Sequence, residues 1–278
     1  MMSRIWYKFK KWLPTLVWIL IFAAVWEAGA FAVAAVKRTP ENVLPHIYQI
    51  VEAAFSSKKV SGGKTASDLV LYSASLTLGR AALGFLIGSV SGFVLALIMK
   101  VSKIVEKVIF PYLMIIQMIP ILGMAPIILS VTGDINTSRI VIAAILTFYP
   151  VATGTLAGFN SVERSKYDLM HIYAAKKTDL YTKVLIPSAV PYFFTGLKIA
   201  APMAITASIL VDTLQGDGGL GTLLSQSLKH AMSVYVFWLI VFFSAFAGIF
   251  SSKLMGSIEH LVLPHKRTAR AAGKGEAV

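Results

Sequence analysis

The chain has 278 residues, of which 56% are apolar and only 14% are charged, whereas soluble domains average about 25% charged residues. This balance excludes an ordinary soluble protein, and the absence of cysteine excludes a disulfide framework, a thiolate nucleophile and a cysteine metal site. The net charge of +13 does not indicate nucleic-acid binding, because the basic residues lie between apolar runs, as in membrane proteins.

Six apolar stretches are long enough to cross a bilayer, which takes about 20 helical residues. The first follows a basic segment and exceeds the apolar core of about 7–15 residues that is typical of a cleaved signal peptide, so we expect a retained span. The six spans are predicted at residues 13–36, 80–99, 108–131, 138–159, 191–214 and 236–258. They make up a membrane domain at residues 13–262, between a basic N-terminus at 1–12 and a basic tail at 263–278.

Glycine and proline predict how three of these spans pack. Gly84, Gly88 and Gly92 recur every four residues in the second span, which lets another helix approach closely. The third span contains three prolines, each of which removes a backbone donor. Because freed carbonyls inside lipid need partners, this span is predicted to be a broken helix that lines a cavity. Kinks are expected at Pro150 and Pro202.

The distribution of lysine and arginine predicts the orientation in the membrane. With both termini in the cytoplasm, 17 basic residues fall on the cytoplasmic side and seven on the outer side. The loop at residues 161–187 is then cytoplasmic. The outer loop contains an amphipathic stretch at residues 41–55, which either lies along the membrane surface or forms a short soluble helix over the bundle.

Two glycine-rich stretches imitate nucleotide-binding motifs. GGKT, at residues 62–65, has Lys58 where a P-loop needs its first glycine. GDGGLG, at residues 216–221, matches a dinucleotide fingerprint but follows a membrane span instead of a strand, and no acidic residue follows about 20 positions later. Both are predicted to be loops. No Ser-His-Asp set, carboxylate pair or His-x3-His spacing stands out, so we expect a non-enzyme without catalytic residues, metal site or bound cofactor.

The loop between the fourth and fifth spans is polar and helix-like. Leu169, Ile172 and Tyr173 fall on one helical face. Asp168 is expected in the first turn and Lys176 in the last, where their charges suit the helix dipole. A second short face follows, and Pro187 is expected to end it together with Pro191. The pattern predicts two short helices, flat against the cytoplasmic surface; an ordinary interfacial linker is the alternative.

This loop resembles the EAA loop in permease subunits of bacterial ATP-binding-cassette (ABC) importers, which reads Glu-Ala-Ala, three residues, Gly, nine residues, Ile-x-Leu-Pro. The spacing is kept from Asp168 at the Glu position to Pro187 at the final proline. Ala174 stands at the Gly position and Lys176 where many members have Ser. Since alanine favours helix where glycine disfavours it, the turn at Ala174 is predicted to be more continuously helical.

Further stretches between residues 13 and 262 resemble the branch of this family that serves sulfonates, taurine, nitrate and thiamine precursors. They are WEAGA, SLTLGRAALGFLIG, IPILGMAPIIL, FYPVATGTLAGFNSVERSKYDL, VLIPSAVPYFFTGLKIA and GGLGTLL. The resemblance implies an all-α integral membrane fold: a six-transmembrane-helix bundle of the type I ABC importer permease class with a cytoplasmic coupling-helix loop. It also implies a multi-pass protein of the bacterial cytoplasmic (inner) membrane.

The same resemblance implies the partners. A homodimer of permease subunits contacts ABC ATPase subunits, which bind ATP and Mg, and a periplasmic or lipid-anchored substrate-binding protein delivers a small solute. The short helix of the loop is expected to dock in a groove of the ATPase, with Tyr181 in a secondary role and Pro187 setting the exit angle into the fifth span. The expected docking residues are Asp168, Leu169, Met170, Ile172, Tyr173, Ala174, Ala175, Lys176, Lys177 and Thr178.

Polar residues inside membrane helices are functional candidates by default. The candidates for the solute path are Gln117, Thr206, Ser208 and Asp212. Gln117, beside the broken third span, is the first choice. Exposure near the outer end of a span is the competing explanation for Asp212 and for Glu27, and Arg80, expected at the start of its span, could snorkel to the interface. Two other functions compete, an ion-coupled secondary transporter and a membrane assembly protein without a transport role, although no internal repeat is evident.

Overall fold

The computed structural model describes residues 2–215, 218–229 and 234–263; all but the first residue of the predicted basic tail lies outside them. These residues are mainly helical, and the bounds are α1 (Met2–Val36), α2 (Ile47–Phe55), α3 (Ala66–Val101), α4 (Lys103–Met118), α5 (Ile121–Thr132), α6 (Ile135–Asn160), α7 (Arg164–Ile172), α8 (Lys177–Leu180), α9 (Ile186–Gln215), α10 (Leu220–Lys229) and α11 (Val234–Val262). A short antiparallel hairpin, β1 (Lys59–Ser61) and β2 (Lys64–Thr65), precedes α3.

Five continuous helical stretches of the described chain are apolar and long enough to cross a bilayer, and α4 and α5 together make a sixth, broken one. The predicted second span is wrong at its start, because α3 begins 14 residues before Arg80. That first part contains Ser, Thr and Asp side chains, which conceal a helix from a search for apolar runs. Arg80 therefore lies well inside a helix.

The third predicted span breaks at its middle proline. Helix α4 ends at Met118, Pro120 precedes α5 in an extended conformation, and the two helices are bent by 108°. A cavity of about 230 Å³ adjoins the break, and its lining is apolar: Ile116, Ile119, Met124, Ile128, Ile145 and Phe148. The prolines at 111, 126, 150 and 202 all lie inside helices.

The chain forms two compact units, one containing residues up to Tyr72 with Leu223–Val241, the other Ser73–Thr222 with the chain from Phe242 onward. In the first unit, the Glu27 carboxylate on α1 accepts hydrogen bonds from His46 Nδ1 (2.6 Å) and the Ile47 backbone N–H (2.8 Å) at the start of α2. Glu27 is thus paired with the segment before α2. The outward face of α2 exposes Tyr48, Val51 and Phe55, which fits either expectation for this segment.

The second unit has a core of small residues that lets its helices approach closely. A Cβ added at Gly158 on α6 would lie 2.8 Å from Ala189 Cα on α9, and one at Gly196 would lie 2.7 Å from the Pro150 carbonyl oxygen. The predicted glycine stripe of α3 faces α6, where a Cβ at Gly92 would lie 2.6 Å from the Phe148 carbonyl oxygen. Added Cβ atoms at the other two positions of the stripe, Gly84 and Gly88, would overlap Ala143 and Thr147.

Candidate functional site

Two regions of the second unit carry the candidate functional residues: a hairpin formed by α7 and α8, and a buried charge cluster around Asp212. In the hairpin, α7 begins at Arg164 because Glu163, with φ −62° and ψ 145°, holds an extended N-cap conformation. The prediction that Asp168 lies in the first helical turn is therefore wrong. Asp168 is the fifth residue of α7, with its side chain exposed.

The turn after α7 is closed and not continuously helical. The backbone N–H of Ala175 donates to the Met170 carbonyl (3.0 Å), and that of Ala174 donates to His171 (2.9 Å), which is the Schellman pattern of a helix C-terminus. Ala174 adopts φ +47°, the left-handed conformation that glycine takes most easily. The expectation of a continuous helix at Ala174 is wrong, because these two hydrogen bonds outweigh the helix propensity of alanine.

The second half of the hairpin merges into α9. Lys176 is extended at the N-cap of α8 and Lys177 is its first residue, so both lie at the start of the second helix and not at the end of the first. A π-helical segment at Tyr181–Leu185 joins α8 to α9, and Pro187 and Pro191 lie inside α9. The expectation that the helix stops at these prolines is wrong. The Ile186 backbone N–H donates to the Tyr181 carbonyl and closes a π-helical turn, and the helix continues from this turn through Pro187.

The apolar side chains of α7 and its C-cap point to solvent. The exposed fractions are 52% for Leu169, 79% for Ile172 and 75% for Tyr173. Tyr181 differs from them, because it is half-buried and packs against the core that contains Phe159 and Leu185. The remaining predicted docking residues divide into an exposed group, Asp168, Ala174, Lys176, Lys177 and Thr178, and a half-buried pair, Met170 and Ala175. Pro187 is exposed.

Asp212, on α9, lies at the centre of the buried charge cluster. Arg139 Nε on α6 lies 2.7 Å from its Oδ1, and Arg80 Nη1 on α3 lies 3.7 Å from the same oxygen. The Thr77 hydroxyl donates to Oδ2 at 2.7 Å. Asp212 and Arg139 are fully buried, so the competing explanation that Asp212 is exposed near the end of its span is wrong. The expectation that Arg80 starts its span is also wrong.

A glycine turn closes this cluster. Gly218 and Gly219 have φ of +74° and +104°, and a Cβ added at Gly219 would lie 2.7 Å from Asp212 Cγ. The Leu220 backbone N–H donates to Thr77 Oγ1 at 2.8 Å, and Arg139 Nη2 donates to the Gly218 carbonyl at 3.3 Å. Within the GDGGLG stretch, Gly216 and Asp217 lie outside the described residues.

The four predicted solute-path residues do not come together. Ser208 is buried beside Asp212 on one face of α9 and donates to the Thr77 carbonyl at 3.2 Å. Thr206 is exposed on another face of α9, and Gln117 is half-buried one residue before the end of α4. In this conformation only Thr206 and Gln117 are accessible, and the path assignment stays a prediction.

The sequence interpretation did not identify Arg139, Thr77 or Gly219 as parts of a site. The available signal was charge balance: an acidic residue inside a membrane helix needs a partner, and Arg80 and Arg139 are basic residues of two other spans. No three metal-binding side chains come together in the described ranges.

Comparisons with known proteins identify the family of the chain. The family model described as "Binding-protein-dependent transport system inner membrane component" matches residues 84–264, well over half of the chain. The nitrate import permease protein NrtB of Synechococcus elongatus is 29% identical over 266 residues, which cover 94% of this chain and 93% of that protein. The formylaminopyrimidine transport permease protein ThiX of Halalkalibacterium halodurans is 26% identical over 254 residues, covering 91% and 96%.

The fold also matches solved structures. A crystal structure of an amino acid ABC transporter superposes with a TM-score of 0.58 and 22% identity over 70% of this chain and 94% of that chain. This likeness shows an all-α membrane permease fold. The family match identifies an ABC importer permease and neither of the two competing functions, and it agrees with the resemblance read from the 168–187 loop. The chain belongs to the binding-protein-dependent inner membrane components of ABC importers, and it is a multi-pass permease subunit without catalytic activity of its own.

Proposed function

We propose that this chain forms the translocation path for a small solute delivered by a substrate-binding protein, and that α7 couples the path to an ATPase subunit holding ATP and Mg. Relatives named for nitrate and formylaminopyrimidine import support a small solute. The proposed assembly contains two copies of this chain in the bacterial inner membrane. Both termini are cytoplasmic, in keeping with 17 basic residues on that side against seven on the other.

The exposed apolar face of α7 is the observation that supports coupling. Ile172 and Tyr173 expose more than 70% of their surface outside any apolar membrane segment, where water makes that exposure costly. A helix that lays such side chains into a hydrophobic groove on a partner removes this cost. The basic side chains of Lys176 and Lys177 follow directly and flank the contact with positive charge.

The hairpin is built to pass a displacement into the membrane domain. The C-terminal half of the hairpin is continuous with α9 through the π-helical segment, and Leu180 and Tyr181 pack against the buried core at Phe159. Helix α9 is in turn held against α6 at Gly158 and Gly196. A partner that binds α7 more tightly in one state of the transporter would bias the packed pair α6–α9 toward that state.

The test is co-purification of the permease with its ATPase subunit after changes confined to α7. The double variant I172A/Y173A should bind the ATPase at least about tenfold more weakly, since large side chains at the centre of an interface dominate its energy. The matched control is L261A, because Leu261 is also exposed, at 75%, at the end of another helix on the proposed cytoplasmic side. Circular dichroism should show unchanged helix content in both.

Replacement of residues 168–178 by a Gly/Ser linker should abolish the complex and solute uptake without loss of folding. If the ATPase binds the linker variant as tightly as wild type, coupling through α7 is wrong. If L261A forms the complex as wild type does, whereas I172A/Y173A and the linker variant do not, the proposal stands. Retained binding with lost uptake in I172A/Y173A would place the contribution of these residues after docking.

A further inference from the structure

A large, open cavity with both charged and apolar lining lies at the base of the hairpin. Its volume is about 880 Å³, within the range of small-molecule sites. Segments that border the proposed cytoplasmic interface line it: the end of α3, the start of α4, the end of α6 and the hairpin. The apolar break in α4–α5 and the Asp212 cluster are separate features, lined by other residues.

The charge of this cavity is positive. Lys100, Lys103 and Lys107 contribute to its lining, against one carboxylate, Glu106, which leaves a net charge of +2. Lys100 Nζ donates to Asn160 Oδ1 at 2.8 Å, and the amide of Asn160 donates to Glu106 Oε1 at 3.1 Å. The neutral amide of Asn160 therefore bridges Lys100 and Glu106.

Lys103 and Lys107 are available for an anion, whereas Lys100 donates one hydrogen bond to Asn160 and lies 5.9 Å from the centroid of the Tyr167 ring. The ion pairs formed by the described residues all involve other basic side chains. Lys103 and Lys107 are exposed, one turn apart on α4, and Lys100 lies at the end of the preceding helix. A phosphate in the cavity would meet the ammonium groups of the lysines that line it, and this arrangement suits a headgroup.

The cavity has an apolar side as well. Phe110 and Leu185 belong to its lining, and Val101, Ile104 and Val108 expose 73%, 76% and 57% of their surface beside the lysines. A free inorganic anion would use only the lysines. A lipid would use both parts, with its headgroup at the lysines and an acyl chain along the exposed aliphatic side chains.

We propose that this cavity binds the headgroup of an anionic phospholipid from the cytoplasmic leaflet. The assignment rests on the orientation given under the proposed function, and it does not depend on the transported solute. Because Tyr167 on α7 and Tyr181 behind α8 also line the cavity, the bound lipid contacts both halves of the hairpin. It therefore stabilises the position from which α7 meets its partner.

The binding test uses the purified full chain in a neutral detergent and three probes: dioctanoyl phosphatidylglycerol, dioctanoyl phosphatidylcholine and inorganic phosphate. Binding is counted by native mass spectrometry. Phosphatidylglycerol should bind wild type saturably, and K103Q/K107Q should bind it about 25-fold more weakly, since each basic residue near an anionic surface contributes about a fivefold factor. The control K166Q/K253Q removes the same charge from two exposed lysines outside the cavity and should bind within about twofold of wild type.

A second variant keeps the proposal falsifiable if K103Q/K107Q does not fold. E106Q retains an oxygen that accepts the hydrogen bond from Asn160 but removes the negative charge, so it should bind phosphatidylglycerol about fivefold more tightly. Unchanged or weaker binding by E106Q would overturn the site. Equal binding of phosphatidylcholine would show that charge is not recognised, and equal binding of inorganic phosphate would show a free-anion site; either result refutes the lipid assignment. Because the permease alone is tested, failure here leaves the proposed transport function untouched.

Discussion

The charge cluster at Asp212 and the hairpin at α7 treat unfavourably placed side chains in opposite ways, because the first has charged groups inside membrane helices and the second has apolar groups on a polar loop. Asp212 and Arg139 are fully buried, and the Asp212 carboxylate contacts Arg139 and the Thr77 hydroxyl. Ile172 and Tyr173 are apolar yet more than 70% exposed. The first region pairs its buried charges with one another, whereas the second leaves surface free for another molecule.

In this chain, burial separates structural residues from docking residues better than polarity does. A carboxylate in a membrane helix suggests a solute path, but desolvation of that charge is costly unless it is paired and hydrogen-bonded. In this conformation Arg139, Thr77 and the Gly218–Gly219 turn occupy the positions around Asp212 that a solute would need. The cluster connects α3, α6, α9 and the start of α10, so its role is to stabilise the packing of these helices.

The largest effect on stability is expected when the charges of this cluster are changed. D212N leaves Arg139 buried without its counter-charge, which should lower the free energy of unfolding by about 3–5 kcal/mol. The double variant R139M/D212N removes both charges of the closest pair while the new amide can still accept from Thr77. The double variant should therefore lose clearly less stability than the losses of R139M and D212N added together, as measured by thermal unfolding in detergent.

T206V is the control for that cycle, because Thr206 is exposed on another face of α9. It should melt close to wild type. Strict additivity of R139M and D212N would mean that the two side chains do not interact energetically, and Asp212 would then return to the list of solute-path candidates.

The glycine turn provides the second prediction. G219A places a Cβ 2.7 Å from Asp212 Cγ and 2.8 Å from Thr77 Oγ1 at a φ of +104°, so it combines backbone strain with overpacking. G63A is the matched control, because Gly63 also has positive φ, +75°, but nothing lies within 4 Å of its added Cβ. The control should cost about 1–2 kcal/mol in stability and G219A about 1–3 kcal/mol more. Equal melting temperatures would show that the turn can move away from Asp212.

The membrane spans could be predicted from sequence because apolar length is a local property. Residues 13–36 and 236–258 fall inside α1 and α11, and the break was placed in the right span since three prolines mark it. The start of α3 could not be predicted, because its first 14 residues are polar enough to resemble a loop and become helical as part of a longer helix.

The charge cluster and the hairpin turn could not be predicted from the sequence, for different physical reasons. Arg80, Arg139 and Asp212 lie 59 and 73 positions apart, so their pairing depends on tertiary packing that spacing does not encode. At Ala174, propensity favours helix, but two hydrogen bonds at the end of α7 fix a left-handed residue. The exposed face of α7 was predicted correctly as one face, because periodicity along a single helix is local.

The hairpin gives a third, smaller prediction. A174G relieves the left-handed strain and should stabilise the turn by about 0.5–1 kcal/mol, after allowance for the greater freedom of glycine in the unfolded chain. The measurement is hydrogen exchange at the Ala175 amide, which bonds to Met170 and should become better protected. A175G is the control, since Ala175 has no positive φ to relieve, and it should reduce protection. If A174G reduced protection as well, the turn in solution would not be the Schellman turn.

The smallest effect is expected at Asp134. Its carboxylate is exposed, like the side chains of α7, but it accepts hydrogen bonds from nearby residues, like Asp212. It caps α6, the helix that carries Arg139, and its Oδ2 accepts from the Thr137 backbone N–H at 2.7 Å and from the Thr137 hydroxyl at 2.8 Å. The backbone hydrogen bond, followed by the hydroxyl bond, holds the pKa of Asp134 below its ordinary value.

A lowered pKa in the folded state means that the charged form adds stability above the unfolded-state pKa, about 3.9, and that this stability is lost as pH falls through the folded-state value. Wild type should therefore melt slightly above D134N near neutral pH, and the difference should shrink toward zero as pH is lowered from about 7 to about 3. E163Q is the control, because the Glu163 side chain makes no capping hydrogen bond at α7, and its difference from wild type should not follow this course. A D134N difference that grew toward low pH would contradict the sign of the shift, and the cap of α6 would then not depend on the charge of Asp134.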